Sequence, residues 1–267
     1  MSEQHVKFEK MDGVGIITLD RAEARNALTL DMVAEIGEAI EACKKPDVRA
    51  VLLTGTGGAF CSGADVKNFV AALESGGPQY LHDQIRALAD AFHTKIVLGF
   101  RRLEKPVVAG INGVAAGAGF SLTLGCDLRV AANSARFMMA YANIGATADG
   151  GSTYLLPRLV GTGKAMEIYL ASQPIGAQAA LEMGLVNQVV GDEELHRHAM
   201  ETAVRLAQGP TVAYGRVKAM FDRSWDTDLA AQLNLETEAI ADSGLTADFQ
   251  EGIKAFTERR QPRFEGK

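Results

Sequence analysis

Little cysteine, no long apolar run and no excess of positive charge mark this 267-residue chain, and each absence removes a class of protein. Its three cysteines, Cys43, Cys61 and Cys126, show neither CxxC spacing nor a nearby histidine pair, so neither a disulfide framework nor a metal site is expected. A reducing, cytoplasmic compartment fits. No window approaches the roughly 18 consecutive apolar residues that a membrane span requires, and no membrane partner is expected. The 27 Lys and Arg against 33 Asp and Glu, a net charge of −6, oppose binding to a phosphate backbone, so nucleic acid is not an expected partner either. Charges at Glu3, Lys7, Glu9, Lys10 and Asp12 interrupt the N-terminal stretch, which reads as mature protein rather than as a signal peptide. With 47% hydrophobic and 22% charged residues the chain has globular composition, and its length suits one large domain or a domain with a smaller lobe.

Short apolar or β-branched runs at Val14 to Leu19, Arg49 to Thr54, Pro106 to Ile111, Leu128 to Ala131 and Asn187 to Val190 predict strands. Helical spacing of Met32, Ile36, Ile40 and Cys43, and of Leu81, Ile85, Leu88, Phe92, Ile96 and Leu103, predicts helices between them. The fold class is therefore α/β. Residues 192–260 keep helical spacing, with turn punctuation such as Gln208-Gly209-Pro210, but show no strand. The expected organisation is a core over residues 1–200 and a helical C-terminal lobe over 201–267.

Glycine is abundant, at 28 residues, and clusters where apolar runs end: Gly55 to Gly58, Gly113, Gly117 with Gly119, and Gly150 with Gly151. Turns of this kind can aim free N–H groups at an anion or a polarised oxygen, although chain reversal alone also explains any one cluster. Three common frames are not met. A P-loop ending at Gly163-Lys164 would need glycine where Arg158 stands and a hydroxyl at Ala165. A dinucleotide fingerprint beginning at Gly117 and Gly119 would need glycine at Leu122. Ser62 and Ser121 lack the GxSxG frame of a nucleophile elbow.

Two segments stand out together, Gly58-Ala59-Phe60-Cys61-Ser62-Gly63-Ala64-Asp65-Val66-Lys67 and Ile111-Asn112-Gly113-Val114-Ala115-Ala116-Gly117-Ala118-Gly119-Phe120. Arg21 to Leu28, Leu156 to Gly161 and Ala179 to Val186 stand around them in order. This set, spanning essentially the whole chain, resembles the enoyl-CoA hydratase/isomerase, or crotonase, superfamily. The resemblance implies a spiral of ββα units, a helical C-terminal trimerisation region, and an acyl-CoA thioester as substrate. It further implies homotrimers or hexamers built from two trimers, with coenzyme A entering as part of the substrate rather than as a permanently bound cofactor.

By the same matching, the backbone N–H groups of Ala64 and Ala118 fall on the family's two oxyanion donors, the second usually glycine. The two glutamates that carry acid and base work in hydratases fall on Ser121 and Tyr141, so both carboxylates are missing. One carboxylate remains nearby, Asp149, at a position resembling the acidic residue of dienoyl-CoA isomerases, of the ring-epoxide isomerase of phenylacetyl-CoA degradation, and of aryl-CoA dehalogenases. Coenzyme A contacts are implied at Ala22, Arg25, Asn26, Ser62, Gly63, Asp65 and Lys67, and, from a neighbouring subunit, at Phe256 and Arg259.

The expected activity is accordingly a double-bond shift in an enoyl- or dienoyl-CoA, with Asp149 as proton shuttle and Tyr141 as a further catalytic candidate. One carboxylate moving one proton between two carbons is sufficient for that reaction. Hydration with rearranged acid and base groups, substitution with Asp149 as nucleophile, and a catalytically silent coenzyme A-binding protein remain alternatives. Competing structural readings attach to single residues: Asp149 as the N-cap of a helix over 150–159, Tyr141 as an apolar wall, and His93 as an ordinary helix-face histidine. Phe69, Met138, Met139 and Tyr141 are candidate pocket walls.

Overall fold

All five apolar runs become strands of one sheet in the computed structural model, which describes residues 4–267. Side by side, this sheet contains β1 (Val6–Met11), β2 (Val14–Leu19), β3 (Ala50–Gly55), β5 (Val107–Ile111), β7 (Leu128–Ala132) and β10 (Gln188–Val190). β1 and β2 are antiparallel, whereas the pairs from β2 to β10 are parallel. Parallel strands covered on both faces read as unbroken apolar runs, and all five residues of β5 are buried. β1 was not foreseen, because its charges at Lys7, Glu9 and Lys10 hide the strand.

A second, smaller sheet stacks β4 (Ala59–Cys61), β6 (Val114–Ala116), β8 (Arg136–Met138) and β9 (Ile175–Gly176). The long strands β3, β5 and β7 are each followed by a short one, β4, β6 and β8. Helices then complete the turns of a spiral: α1 (Leu30–Cys43) before β3, α2 (Val66–Ala91) and α3 (Leu98–Arg102) after β4, and α4 (Ala118–Leu124) after β6. Beyond β8 come α5 (Ser152–Val160), α6 (Thr162–Ala171) and α7 (Ala177–Glu182). The chain forms the spiral of ββα units that its motifs imply.

The two faces of the large sheet carry separate cores. Val51 and Leu53 point with Ile17, Val107 and Ala109 towards Phe60, Phe137 and the inner face of α1, while Ala50, Leu52 and Val108 point to the opposite side. There α8 (Leu195–Ala207) crosses β2, β3, β5 and β7, bringing Ala199, Ala203 and Ala207 against them. Small residues let the helix approach closely: a Cβ on Gly110 would lie 3.2 Å from that of Ala199. The division expected at residue 200 falls inside α8, and the turn at Gln208 to Pro210 ends that sheet-covering helix. α9 (Thr211–Arg223), α10 (Leu229–Ser243) and α11 (Ala247–Glu258) follow. α10 has no buried residue, and Leu229, Leu233, Ile240 and Phe256 are exposed.

Among the described residues, no helix is long and apolar enough to cross a membrane.

Candidate active site

The parallel pairing of β4 with β6 brings the two signature segments together. β4 ends at Cys61 and β6 at Ala116, so the turns leaving both strands emerge on the same side. Gly63 adopts φ +101°, and a Cβ there would lie 2.9 Å from the Ala116 carbonyl oxygen and 3.4 Å from the Ala118 nitrogen. Only glycine fits that corner. Gly117, at φ 51° and ψ −123°, turns the chain into α4, whose first residue is Ala118. The first N–H groups of a helix have no partner within the helix. Among the described residues, neither the Ala64 nor the Ala118 N–H has a protein acceptor. Both residues line one cavity of about 660 Å³.

The walls of that cavity come from α2 and from the loop before α5. Phe69, Leu81, Ile85 and Leu88 face it from one side, Tyr141, Ile144, Ala146, Thr147 and Asp149 from the other. Of the walls expected from sequence, Phe69 and Tyr141 belong to it. Met139 instead lines a separate cavity of about 350 Å³ behind residues 147–148, and Met138 lines neither. The helical stripe on α2 supplied more of the wall than the sequence disclosed, because Gly77, at φ 71°, breaks the helix and redirects the segment carrying Leu81 and Ile85.

Asp149 is the one carboxylate among the described residues lining the cavity. Its side chain does not cap α5: the N-cap position is Gly151, with no side-chain cap bond. Instead its Oδ1 accepts the Tyr141 hydroxyl at 2.5 Å. Tyr141 Oη also lies 2.9 Å from Ser121 Oγ, so the two positions matching the hydratase glutamates are joined to each other and to Asp149. Burial, reinforced by the adjacent Asp149 carboxylate, pushes the Tyr141 phenol above its ordinary value and keeps it protonated as a donor. Tyr141 is thus more than an apolar wall.

His93 lies on a π-helical turn, Phe92–Val97, that joins α2 to α3. Its Nε2 accepts the Gly150 N–H at 3.0 Å and stands 3.8 Å from Asp149 Oδ2. The helix-face reading from sequence missed this contact.

The residues matched to coenzyme A fall into four groups. Ala22, Arg25 and Lys67 are exposed, and among the described residues neither cation has a carboxylate partner, which leaves both free for phosphate. Ser62 and Gly63 line the cavity. Asn26 is fully buried, and its side-chain amide holds the Thr56 and Ala59 carbonyls and the Arg21 N–H. Asp65 caps α2 through the Lys67 N–H and pairs with Arg21 at 2.7 Å. These two side chains hold the turn together and are not presented to a ligand. Arg21, which ties the early motif to the segment carrying Ala64, was not singled out from sequence. Phe256 is 84% exposed and Arg259 is the left-handed C-cap of α11; neither lines the cavity of its own chain.

Two backbone N–H groups, unpaired among the described residues, and one carboxylate thus share an apolar cavity, an arrangement able to receive a polarised carbonyl oxygen and to exchange a proton beside it. The enoyl-CoA hydratase/isomerase family model matches residues 9–267, and the chain belongs to that family. Over the full length of both, it is 39% identical to a probable enoyl-CoA hydratase of Rhodobacter capsulatus. It is 37% identical, over 96% of each chain, to 1,2-epoxyphenylacetyl-CoA isomerase of Escherichia coli. The fold superposes with a TM-score of 0.90 on the crystal structure of an enoyl-CoA hydratase from Bacillus anthracis, at 32% identity, covering 99% of this chain and 100% of that one.

Proposed function

We propose that this acyl-CoA enzyme moves a double bond in an enoyl- or dienoyl-CoA. The observation carrying this reading is the set of groups around the cavity: two free N–H donors and one carboxylate, with hydroxyl groups at both hydratase glutamate positions. Asp149 removes a proton from the carbon activated by the thioester, and the electron pair moves onto the thioester oxygen. The Ala64 and Ala118 N–H groups stabilise that oxyanion; losing one such donor typically costs on the order of a hundred- to a thousandfold in rate. The carboxylic acid then returns its proton to the other end of the conjugated system, and the carbonyl re-forms. Atoms and charge balance without water.

Tyr141 holds Oδ1 throughout, so Oδ2 is the atom that takes and returns the proton. Hydration needs a group to activate water and usually a second for proton transfer, and the residues at 121 and 141 supply neither carboxylate. The name of the Escherichia coli relative supports isomerase chemistry, and that of the Rhodobacter capsulatus relative supports hydration. Incubation with a panel of enoyl- and dienoyl-CoA isomers separates them: isomerisation changes the ultraviolet spectrum at constant mass, whereas hydration adds a water. Substrate binding without turnover across the panel would favour the silent alternative.

The remaining elements of this proposal are cytoplasmic action, no permanently bound cofactor, and assembly into trimers or pairs of trimers. The apolar side chains left open on α10 and α11 support assembly, with Phe256 and Arg259 reaching a neighbour's coenzyme A.

A further inference from the structure

We infer that His93 is a positioning residue for Asp149, acting as a hydrogen-bond acceptor rather than as an acid or base. This inference rests on the proposed role of Asp149. The geometry behind it does not. A backbone N–H can only donate, so the 3.0 Å contact from Gly150 requires an unprotonated Nε2 and places the imidazole proton on Nδ1. The Nε2 lone pair is thereby engaged, and 3.8 Å to Asp149 Oδ2 is beyond hydrogen-bond reach.

The surroundings show why this contact matters. Asp149 stands immediately before two left-handed glycines, Gly150 at φ +62° and Gly151 at φ +75°. Such a corner has much backbone freedom unless something holds it. A Cβ on Gly150 would fall 2.6 Å from both the Phe92 ring and Ser121 Cβ, and one on Gly151 would fall 3.3 Å from Val97. The corner is therefore seated on the π-helical turn, with packing from Phe92 and Val97 and one directional bond, from Gly150 to His93. Tyr141 fixes the carboxylate from the other side. Single π turns are frequent at functional sites because the wider turn redirects side chains relative to the flanking helix. Here it delivers consecutive residues, Phe92 and His93, to the same loop.

The test compares three variants with wild type, using acyl-CoA turnover and binding. His93→Ala removes the acceptor. Displacing a reacting group by about 1 Å can cost on the order of a hundredfold, so kcat should fall about ten- to a hundredfold with KM within about twofold. His93→Gln places an amide oxygen near the Nε2 position and should recover kcat to within about threefold of wild type. His93→Asn, whose oxygen reaches only the Nδ1 position, should not recover it. Equal loss in the Ala and Gln variants would mean that the ring itself transfers protons and would overturn the inference, as would wild-type turnover in His93→Ala.

A second measurement needs neither folding of a variant nor activity. Nitrogen-15 spectra of the imidazole in wild-type protein should show the Nδ1–H tautomer, and an Nε2–H tautomer would refute the proposal. Failure of the isomerase reading would instead appear as the absence of isomerised product in wild type with the Nδ1–H tautomer intact.

Discussion

Replacing Asp149 by Asn isolates the proton-transfer role from almost everything else the residue does. The amide keeps the size of the side chain and an oxygen that can still accept the Tyr141 hydroxyl, now held at 2.5 Å by a carboxylate. It cannot take a proton. General-base catalysis contributes about a hundred- to ten-thousandfold, so turnover should fall at least a hundredfold, or about 2.7 kcal/mol of transition-state stabilisation. The structural cost is smaller. Exchanging a charged acceptor for a neutral one loses about 1 kcal/mol at a buried hydrogen bond, and less here because the Asp149 side chain is 32% exposed. For a chain of this size that lowers Tm by about 2–4 °C at most. Acyl-CoA affinity should persist, since the Ala64 and Ala118 donors and the Arg25 and Lys67 cations are untouched. The assay follows isomerisation by ultraviolet absorbance and, in deuterated water, exchange at the activated carbon. A folded variant that binds acyl-CoA and isomerises at the wild-type rate would refute the role given to Asp149.

Three further outcomes follow from the packing and the titrations. Gly119→Ala would place a Cβ 2.0 Å from the Cys61 carbonyl oxygen, a backbone atom that cannot yield, so it should cost about 3 kcal/mol or more and separate β4 from α4; a Tm equal to wild type would contradict that approach. Burial pushes the thiols of Cys43, Cys61 and Cys126 from 9.0 up to about 12, so between those values the native state retains protons that the unfolded chain releases. Stability should therefore fall as pH rises above about 9, by up to about 1.4 kcal/mol per pH unit for each thiol, and urea titrations of Cys126→Ala should show a shallower slope than wild type. The exposed apolar side chains of α10 and α11 should be covered in an oligomer, and sedimentation at micromolar concentration showing only monomer would sink that expectation.

The large sheet was legible because its inner parallel strands, β2, β3, β5 and β7, are buried on both faces over most of their length. Such strands must be unbroken apolar runs, and Val107 to Ile111 or Ala50 to Leu53 cannot be mistaken for a half-exposed element. The small sheet was not legible for the opposite reason. β4, β6 and β8 contain three residues each, too few for a period to show, and they are held by pairing with one another rather than by pattern. β1 escaped for a third reason: it is an edge strand whose outward charges break the apolar run, a common protection of exposed edges.

At the site, the legible part was backbone and the illegible part was register. Gly63 and Gly117 mark turns whose dihedrals favour glycine, and the resemblance to the family's motifs, rather than the glycines alone, pointed to the N–H groups of Ala64 and Ala118. Asp149 was visible as a residue but not as an environment, since sequence alone allows both a helix cap and a cavity carboxylate. The cap fails because α5 begins only at Ser152, after two left-handed glycines. His93 was the hardest to place. A stripe counted at 3.6 residues per turn assigns Phe92 to the interior and leaves His93 on an adjacent face. The helix changes pitch at that point, and the π turn spanning Phe92–Val97 brings both side chains against Gly150. A local departure from regular helix geometry thus decides whether the corner bearing Asp149 is held or free, and no periodicity computed from an ideal helix contains it.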